Sequence, residues 1–218
     1  RAGLLKDAAA LAYAWQNRCS TRFGRRLTDG AFVCNGGELA RIYASPHTHT
    51  VVSSTVTDDE FDVRADTCQQ DPIRLLFIGF PRPEKGLQYL IEALPRLRTP
   101  RRCELTIVGA AEQFREYREE LERLAVRLGV GERVRWCGYV SYGPEMFAHL
   151  RSADLLVLPT LSEGTPRVLV EARANSLPVV ATNVGGIPTS VTDGVDGLLV
   201  PPKDPAALAG AIDRVLDD

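Results

Sequence analysis

The sequence predicts an α/β protein in which helices cover both faces of a parallel sheet, a doubly wound and Rossmann-like arrangement. From Ile73 onward, short apolar segments alternate with longer segments whose apolar residues recur at helical spacing. The short segments are predominantly apolar, without the regular polar alternate positions of a half-exposed strand. Strands of this kind are buried on both faces, as they are when crossover helices flank a parallel sheet.

Six strands and five helices are expected in this region, in largely alternating order. The predicted strands span residues 73–78, 105–108, 134–137, 155–158, 179–181 and 198–200. The predicted helices span residues 86–97, 113–128 and 166–174, and two more begin at Pro144 and Pro205. Proline is favoured at the first helical position because the N–H that it lacks would have no intrahelical partner there.

The first 70 residues lack the elements of a self-sufficient domain. We expect a helix over residues 4–23, a strand over 31–34, a helix opened by Gly36, and a strand at 51–52. Residues 58–71 are rich in Asp, Gln and Thr and precede Pro72, as in a linker. We therefore predict that residues 1–70 are the C-terminal remnant of one α/β domain plus the linker, and that residues 71–218 form a second domain. The chain begins without an initiator methionine and is helical in pattern at both ends, so we expect it to be a piece of a longer protein.

The charge balance and the cysteines argue against several classes of function. Lys and Arg number 26 against 28 Asp and Glu, so no overall basic field exists to hold nucleic acid or an anionic membrane. No apolar run approaches the roughly 20 residues of a membrane span. Five scattered cysteines, without a Cys-x-x-Cys pair, indicate neither a metal site nor a disulfide framework and fit a reducing cytoplasm.

The loop after the fourth strand is the most informative, since ligands of such sheets bind beyond the carboxyl ends of the strands. We expect Thr165 to cap the next helix and Pro166 to occupy its first position. Glu163 then lies just outside the positive end of that helix, stays ionised, and can accept hydrogen bonds from vicinal sugar hydroxyls. The backbone N–H groups expected to face an anion are those of Gly164, Thr165, Arg167 and Val168.

One further carboxylate and two cations are candidates for the same crevice. Glu171 lies in an apolar helical segment, where a carboxylate needs a partner. A ribose diol would serve, and the alternative is an ordinary surface ion pair with Arg167, four residues earlier. Lys85 and Arg82 follow the first strand and could stabilise the charge of a departing diphosphate. The alternative is a solvated turn in which Glu84 pairs locally.

Two motifs are absent from the sequence, and their absence argues against a metal site and against a dinucleotide cofactor. No Asp-x-Asp occurs in the sequence, so a divalent metal at a diphosphate has no obvious carboxylate ligands, and we expect no metal and no other cofactor. The dinucleotide fingerprint Gly-x-Gly-x-x-Gly does not follow the first strand, which argues against an NAD-dependent dehydrogenase.

The segment from Glu163 to Glu171 resembles the Glu-x7-Glu signature of glycosyltransferase family 4, whose members are retaining enzymes of the GT-B fold. Other segments agree with that family, in order, from about Ile73 to the end of the chain. They are Ser-Ala-Asp at 152–154, Pro-Val-Val-Ala-Thr at 178–182, Gly-Gly-Ile-Pro at 185–188 and Gly-Leu-Leu-Val-Pro-Pro at 197–202. The resemblance implies that residues 71–218 are the C-terminal, nucleotide-sugar-binding domain of a GT-B type enzyme.

The resemblance also implies roles for the candidate residues. It implies that Glu163 contacts the donor sugar, that Glu171 contacts the ribose, and that Lys85 with an arginine holds the diphosphate, assisted by backbone from 164 to 168. It implies that the nucleotide base lies near Tyr139 and Val140. We also assign to donor binding the residue that ends the second strand, Gly109.

Besides the turn at residues 109–112, which replaces a more usual glycine-rich turn, two positions depart from the family pattern. Phe80 stands where the family usually has an arginine, directly after the glycine that ends the first strand, and we expect Arg82 to substitute from two residues later. Ser176 stands where a glycine is common. Neither departure affects Lys85 or the two glutamates.

The predicted function is sugar transfer. We expect transfer from a nucleoside diphosphate sugar to a saccharide or lipid-linked acceptor, with retention of anomeric configuration and without nucleic acid as a partner. The resemblance implies that the acceptor site belongs to an N-terminal domain mostly missing from this chain. We expect the protein to associate through that domain peripherally with the inner face of the cytoplasmic membrane. Two alternatives remain open, a GT-B-fold epimerase of nucleotide sugars and a nucleotide-sugar-binding fragment without activity of its own.

Overall fold

The computed structural model describes residues 32–35, 41, 44–51 and 56–217, and the chain divides into two compact units, Arg1–Val52 and Ser53–Asp218. In the first unit, strand β1 (Phe32–Asn35) pairs in parallel with strand β2 (Thr48–Val51). Both strands overlap their predicted positions. The helix predicted over residues 4–23 and most of the helix opened by Gly36 lie outside the described residues.

The described part of the second unit contains six strands and five α-helices in the predicted order. The strands are β3 (Ile73–Ile78), β4 (Cys103–Val108), β5 (Val134–Gly138), β6 (Leu155–Leu158), β7 (Val179–Thr182) and β8 (Leu198–Val200). The helices are α1 (Leu87–Ala93), α2 (Arg115–Arg127), α3 (Pro144–Ser152), α4 (Arg167–Ala174) and α5 (Pro205–Asp217). None of the helices described combines the length and the apolar composition that a bilayer span requires.

The six strands form one parallel sheet in the order β5-β4-β3-β6-β7-β8, which confirms the predicted fold class. After β3 the chain builds outward to β4 and β5, returns to β6 beside β3, and then builds outward on the other side. Because parallel crossovers are right-handed, this reversal distributes the helices over both faces. The direction changes between β3 and β6, and a crevice opens beyond the carboxyl ends of two such strands.

The hydrophobic core lies along the central strands. All four residues of β6 and all four of β7 are buried. Strand β3 buries Ile73, Leu75, Leu76 and Phe77. Neighbouring strands on both sides satisfy the backbone of these central strands, so their sequences can be apolar throughout without leaving polar groups unpaired.

Several helix ends differ from the prediction by a few residues, and a proline accounts for two of these differences. Helix α1 ends at Ala93, and the chain continues as a 3-10 turn over Leu94–Arg96, because Pro95 has no N–H for the α-helical ladder. Helix α4 begins after Pro166, whose ψ of 122° is extended, so Pro166 is the N-cap. The predicted cap at Thr165 is therefore off by one residue.

The segment predicted as a linker packs on the second unit. Arg64 donates hydrogen bonds to the carbonyl of Ala153, directly after α3, at 2.9 Å and to that of Asn175, directly after α4, at 2.7 Å. A cation at this place also faces the negative ends of two helix dipoles. The second unit thus begins at Ser53, whereas the sequence placed the boundary at residue 71. That the preceding residues belong to an acceptor-binding domain stays a prediction.

Ser176 holds this segment in place from the other side. Its φ of 50° lies in the left-handed region, which agrees with the glycine that the family has at this position. The Ser176 hydroxyl donates to the Asp62 carbonyl at 3.0 Å and accepts the Arg64 N–H at 3.2 Å. These two hydrogen bonds offset a conformational cost of about 1–2 kcal/mol for a residue other than glycine.

Candidate functional site

A cleft of about 400 Å³ opens at the carboxyl ends of β3, β4 and β6. Three residues predicted for the site do not line it, namely Arg82, Gly164 and Thr165. Nine residues predicted for the site do line it, and they are Lys85, Gly109, Tyr139, Val140, Glu163, Pro166, Arg167, Val168 and Glu171. The structure therefore brings together most of what the sequence predicted, at the place where the order of the sheet reverses.

Glycines bring the strand ends at the cleft close together. Gly79 follows β3 and Gly109 follows β4, and a Cβ on Gly109 would lie 2.0 Å from the Gly79 carbonyl oxygen. The Gly79 N–H donates to the Val108 carbonyl at 2.9 Å, and the Gly109 N–H donates to the Gly138 carbonyl at 2.8 Å. No side chain fits at position 109 without moving these strand ends. Gly109 therefore has a structural role in addition to the donor contact predicted for it.

One carbonyl group fastens together the two loops that follow β3 and β6. The Glu84 carbonyl accepts hydrogen bonds from the Leu161 N–H at 2.8 Å and from the Thr160 hydroxyl at 3.0 Å. The loops also approach at Gly86, where the φ is 67° and a Cβ would lie 2.1 Å from the Pro159 carbonyl oxygen. The side chains that these loops carry are thereby held in a fixed relation.

Lys85 and Glu163 are the two residues that this arrangement brings into contact. They form an ion pair between Nζ of Lys85 and Oε2 of Glu163. The exposed fractions of the two side chains are 17% and 18%, so water screens their attraction less than it would at the surface. Two of the three side chains predicted for catalysis therefore lie at the cleft, each as the partner of the other.

Glu171 is a buried carboxylate without a partner among the described residues. It lines the cleft and is 4% exposed, and only its backbone carbonyl accepts a hydrogen bond from a described residue, from Asn175 Nδ2 at 2.9 Å. Burial raises the pKa of Glu171, the positive charge of Arg167 opposes that shift, and the negative charge of Glu60 adds to it. Because buried charges are as a rule paired, an unpartnered carboxylate in a cleft indicates that a ligand supplies the partner.

The surface ion pair considered as an alternative for Glu171 does not form. The Arg167 guanidinium lies instead over the ring of Tyr142, with Cζ 5.8 Å from the ring centroid. Tyr142 packs edge-on against Phe147, with centroids 5.7 Å apart and planes at 77°. Sequence reasoning missed Tyr142, although two aromatic residues three apart follow the third strand of this sheet, Tyr139 and Tyr142. Both tyrosines are exposed and line the cleft.

Helix α4 presents its first turn to the cleft, since Pro166, Arg167 and Val168 all line it. The Pro166 carbonyl accepts from the Leu169 N–H at 3.2 Å, which is the first hydrogen bond of the helix. The N–H groups of Arg167 and Val168 come before that bond, in the turn whose amides have no intrahelical acceptor. These amides and the helix dipole make this end of the cleft favourable for an anion.

Two glycines after β7 support the loop that carries Glu163. The Gly186 N–H donates to the Gly164 carbonyl at 2.9 Å. At Gly185 the φ is 54°, and a Cβ would lie 1.8 Å from the Glu163 carbonyl oxygen. The two backbones pass so close that only glycine fits there. The sequence presented these glycines only as part of a family pattern, and the contact gives them a physical reason.

Arg82 is not brought into the cleft. Its Nε lies 3.4 Å from Oε1 of Glu84, which is the local pairing considered as the alternative for this turn. Both side chains are more than one third exposed, at 42% and 47%. The cleft wall nearest to the end of β3 includes Phe80, which is 49% exposed. Arg82 thus lies outside the described cleft lining, and its part at the diphosphate stays a prediction.

Comparison with known proteins assigns the chain to a family. The family described as glycosyl transferases group 1 matches residues 72–218. The chain belongs to this family. The match confirms the resemblance seen between Glu163 and Glu171, and with it the expectation of a GT-B type, Rossmann-like C-terminal domain.

Individual relatives agree with this family assignment. The D-inositol 3-phosphate glycosyltransferase of Streptomyces scabiei is 38% identical over 200 residues, which are 84% of this chain and 43% of the relative. The crystal structure of Anabaena HepE in complex with UDP and glucose has a TM-score of 0.75 at 23% identity, over 92% of this chain and 58% of that one. The C-terminal domain of LpcC from Francisella tularensis has a TM-score of 0.66 at 24% identity, over 75% of this chain and 89% of that one. The chain spans about half or less of the curated relatives it matches, 48% of one and 34% of another.

The described lining of the cleft contains two cations and two carboxylates. Lys85 and Glu163 are paired with each other. Arg167 lies on an aromatic ring, and Glu171 is buried without a partner. Three kinds of group in the cleft therefore remain available to a ligand. They are the Glu171 carboxylate as an acceptor, the Arg167 cation, and the backbone amides at the start of α4.

Proposed function

We propose that this chain carries the donor-binding part of a retaining glycosyltransferase that moves a hexose-type sugar from a nucleoside diphosphate to a saccharide or lipid-linked acceptor. The observation that carries the proposal is the unpartnered carboxylate of Glu171 in the same cleft as the Lys85–Glu163 pair. A carboxylate has two oxygens that accept hydrogen bonds, and the adjacent hydroxyls of a ribose supply two donors at matching spacing. A nucleotide sugar supplies in addition an anion for Lys85 and hydroxyls for Glu163.

We expect each of these groups to have a role as the diphosphate departs. Lys85 and the N–H groups of Arg167 and Val168 neutralise the charge that develops on the leaving phosphate. When Lys85 pairs with the diphosphate and no longer with Glu163, the carboxylate of Glu163 becomes free to accept hydrogen bonds from the donor sugar. Tyr139 lies at the rim, where the base would bind.

The proposal includes no metal ion. The part of the chain that the structure describes has no cluster of three or more His, Cys, Asp and Glu side chains arranged to hold one. The acceptor would bind to a second domain, as the resemblance implies, and the cytoplasmic location with peripheral membrane contact stays a prediction.

The decisive test compares Lys85→Ala and Glu163→Ala with wild type in the full-length protein. Each variant should lower turnover by about 100-fold or more, since each removes a group that acts on the reacting part of the donor. Circular dichroism and thermal melting verify that the fold is retained. Turnover of the Lys85 variant equal to that of wild type would rule out the proposed role at the diphosphate.

Two further measurements separate the alternatives. Incubation with a nucleotide sugar and no acceptor should leave the donor unchanged, and formation of an isomeric sugar nucleotide would identify an epimerase. NMR of the product should show the anomeric configuration of the donor. Binding of the nucleotide sugar by the full-length protein, without transfer to any saccharide or lipid-linked acceptor supplied, would favour a binding module.

A further inference from the structure

The cleft holds little positive charge for a nucleoside diphosphate. In the described lining, Lys85 is already paired with Glu163. Arg82, the second cation expected from the sequence, pairs with Glu84 and does not line the cleft. A diphosphate carries more than one negative charge at neutral pH, so a second cation is needed beside the helix amides.

Arg167 has the properties that this second cation requires. It is the first residue of α4, so its side chain is attached at the turn whose amides face the cleft. Within the described residues, no carboxylate pairs with its guanidinium, which rests over the Tyr142 ring at 5.8 Å. The carboxylate of Glu171, 4% exposed and without a described partner, independently indicates that a ligand enters beside it.

Resting on the function proposed above, we propose that the Arg167 side chain is the second cation for the donor diphosphate. It leaves the ring of Tyr142 when the diphosphate binds, and it donates hydrogen bonds to the phosphate oxygens. The planar guanidinium suits this task because its N–H groups can pair with two oxygens at once. Arg167 thereby acts through its side chain as well as its backbone N–H, and Arg82 has no part in donor binding.

Tyr142 is the resting place that positions this guanidinium. A cation over an exposed aromatic face is held weakly, so the contact orders the side chain and still lets a phosphate displace it. The ring is itself fixed by its edge-on contact with Phe147 at 5.7 Å. Tyr142→Phe should keep diphosphate affinity close to that of wild type, and Tyr142→Leu should not lower it, because the guanidinium gives up its contact with the aromatic face when the diphosphate binds.

The test is calorimetric titration of the full-length protein with UDP, GDP and ADP, and then with the monophosphate of whichever nucleoside binds. Arg167→Gln should weaken diphosphate binding by about tenfold to a hundredfold. It should weaken monophosphate binding less, because the lost contact is to the diphosphate. The matched control is Arg173→Gln, an arginine of the same helix that lies outside the cleft lining, and it should bind the diphosphate as wild type does.

A positive charge can also be introduced at another position of the cleft lining. Phe80 lines the cleft, so Phe80→Arg in the Arg167→Gln background should recover at least part of the lost diphosphate affinity. Such recovery would show that the deficit is one of positive charge at the phosphates and that the variant fold is intact.

The outcomes distinguish this assignment from the function on which it rests. If wild type binds a diphosphate and Arg167→Gln binds it equally well, the assignment is wrong, and impaired binding by Arg82→Gln would identify the cation that acts instead. Equal losses for diphosphate and monophosphate would place Arg167 at the nucleoside and also overturn it. If wild type binds none of the three diphosphates, the proposed function fails and this assignment fails with it.

Discussion

Lys85 and Glu163 neutralise each other at the cleft, through an ion pair between side chains that are each less than one fifth exposed. They belong to different loops, and the Glu84 carbonyl joins those loops through two hydrogen bonds. Breaking a half-buried pair is costly when one partner is left uncompensated. A diphosphate can therefore engage Lys85 only in competition with Glu163, and an incoming donor has to satisfy both groups at once.

Glu163→Gln should separate diphosphate binding from sugar transfer. The substitution removes the competing charge and leaves Lys85 free, so affinity for a nucleoside diphosphate should rise by about threefold to tenfold. Turnover with the sugar nucleotide should fall by about 100-fold, because the carboxylate that would orient the sugar is gone. Titration with the diphosphate and steady-state rates with the donor give the two quantities.

The double variant Glu163→Gln with Lys85→Met is the control for that prediction. It lacks the freed cation, so the gain in diphosphate affinity should disappear. Weaker diphosphate binding by the single Glu163→Gln variant would show that Glu163 assists the diphosphate and does not compete for Lys85.

Replacing Gly185 should displace Glu163 without touching any side chain of the cleft. A Cβ at this position would lie 1.8 Å from the Glu163 carbonyl oxygen, so one of the two loops has to move. We expect Gly185→Ala to lower turnover by at least about tenfold and the free energy of unfolding by about 1–3 kcal/mol. Steady-state kinetics and urea denaturation measure the two effects.

Gly194→Ala is the matched control for this steric argument. Gly194 also has a left-handed φ, 74° against 54° at Gly185, but a Cβ there would meet nothing within 4 Å. The Gly194→Ala variant should lose about 1–2 kcal/mol of stability through backbone strain alone and keep the turnover of wild type. Equal losses of turnover in the two variants would contradict a specific effect on Glu163.

The sheet could be predicted closely because burial on both faces leaves a continuous apolar segment as its signal. Three strands begin and end where predicted, at Ile73–Ile78, Leu155–Leu158 and Leu198–Val200. The start of α4 could not be fixed to the residue, because it depends on the ψ of Pro166, and proline is compatible both with the cap and with the first turn.

The candidate site could be predicted where topology alone determines it. Lys85 and Glu163 converge because they follow neighbouring strands whose loops meet at the switch point. The sequence could not decide which of two nearby partners a flexible cation takes. Arg82 pairs with Glu84, and Arg167 lies on an aromatic ring. The interaction free energies of such alternative partners differ by about 1 kcal/mol or less.

Arg64 should contribute more to stability than an ordinary surface arginine. Its guanidinium donates to the carbonyls of Leu150, Arg151, Ala153 and Asn175, at distances from 2.7 to 3.3 Å. Arg64→Ala leaves these carbonyls without their donor and should lower the free energy of unfolding by about 2–4 kcal/mol. Arg64→Lys keeps the charge but has fewer donors, so its free energy of unfolding should lie between those of wild type and Arg64→Ala.

Urea denaturation of Arg115→Ala provides the reference for a surface arginine. That side chain is 82% exposed and pairs with Glu119 one helical turn away, so its loss should cost about 0.5 kcal/mol or less. Similar losses for Arg64→Ala and Arg115→Ala would mean that the segment around Arg64 is not anchored by these hydrogen bonds.

Glu171 should make the protein less stable as pH rises. Burial raises its pKa in the folded protein above 4.5, so the folded state binds this proton more tightly than the unfolded chain does. The contribution to stability is therefore fully present below pH 4.5 and is lost as pH rises through the raised pKa. Glu171→Gln does not titrate, and at pH 7 it should be more stable than wild type by about 1 kcal/mol or more.

The measurement is the difference in free energy of unfolding between wild type and Glu171→Gln, from about pH 4 to about pH 7. The other carboxylates are the same in both proteins, so the pH dependence of the difference isolates Glu171. The same variant should bind the donor at least about tenfold more weakly, because an amide offers one acceptor where a carboxylate offers two. A difference independent of pH would contradict a buried, unpartnered carboxylate. A stabilised variant that binds donor as wild type does would instead remove Glu171 from the site, since its burial would then serve no ligand.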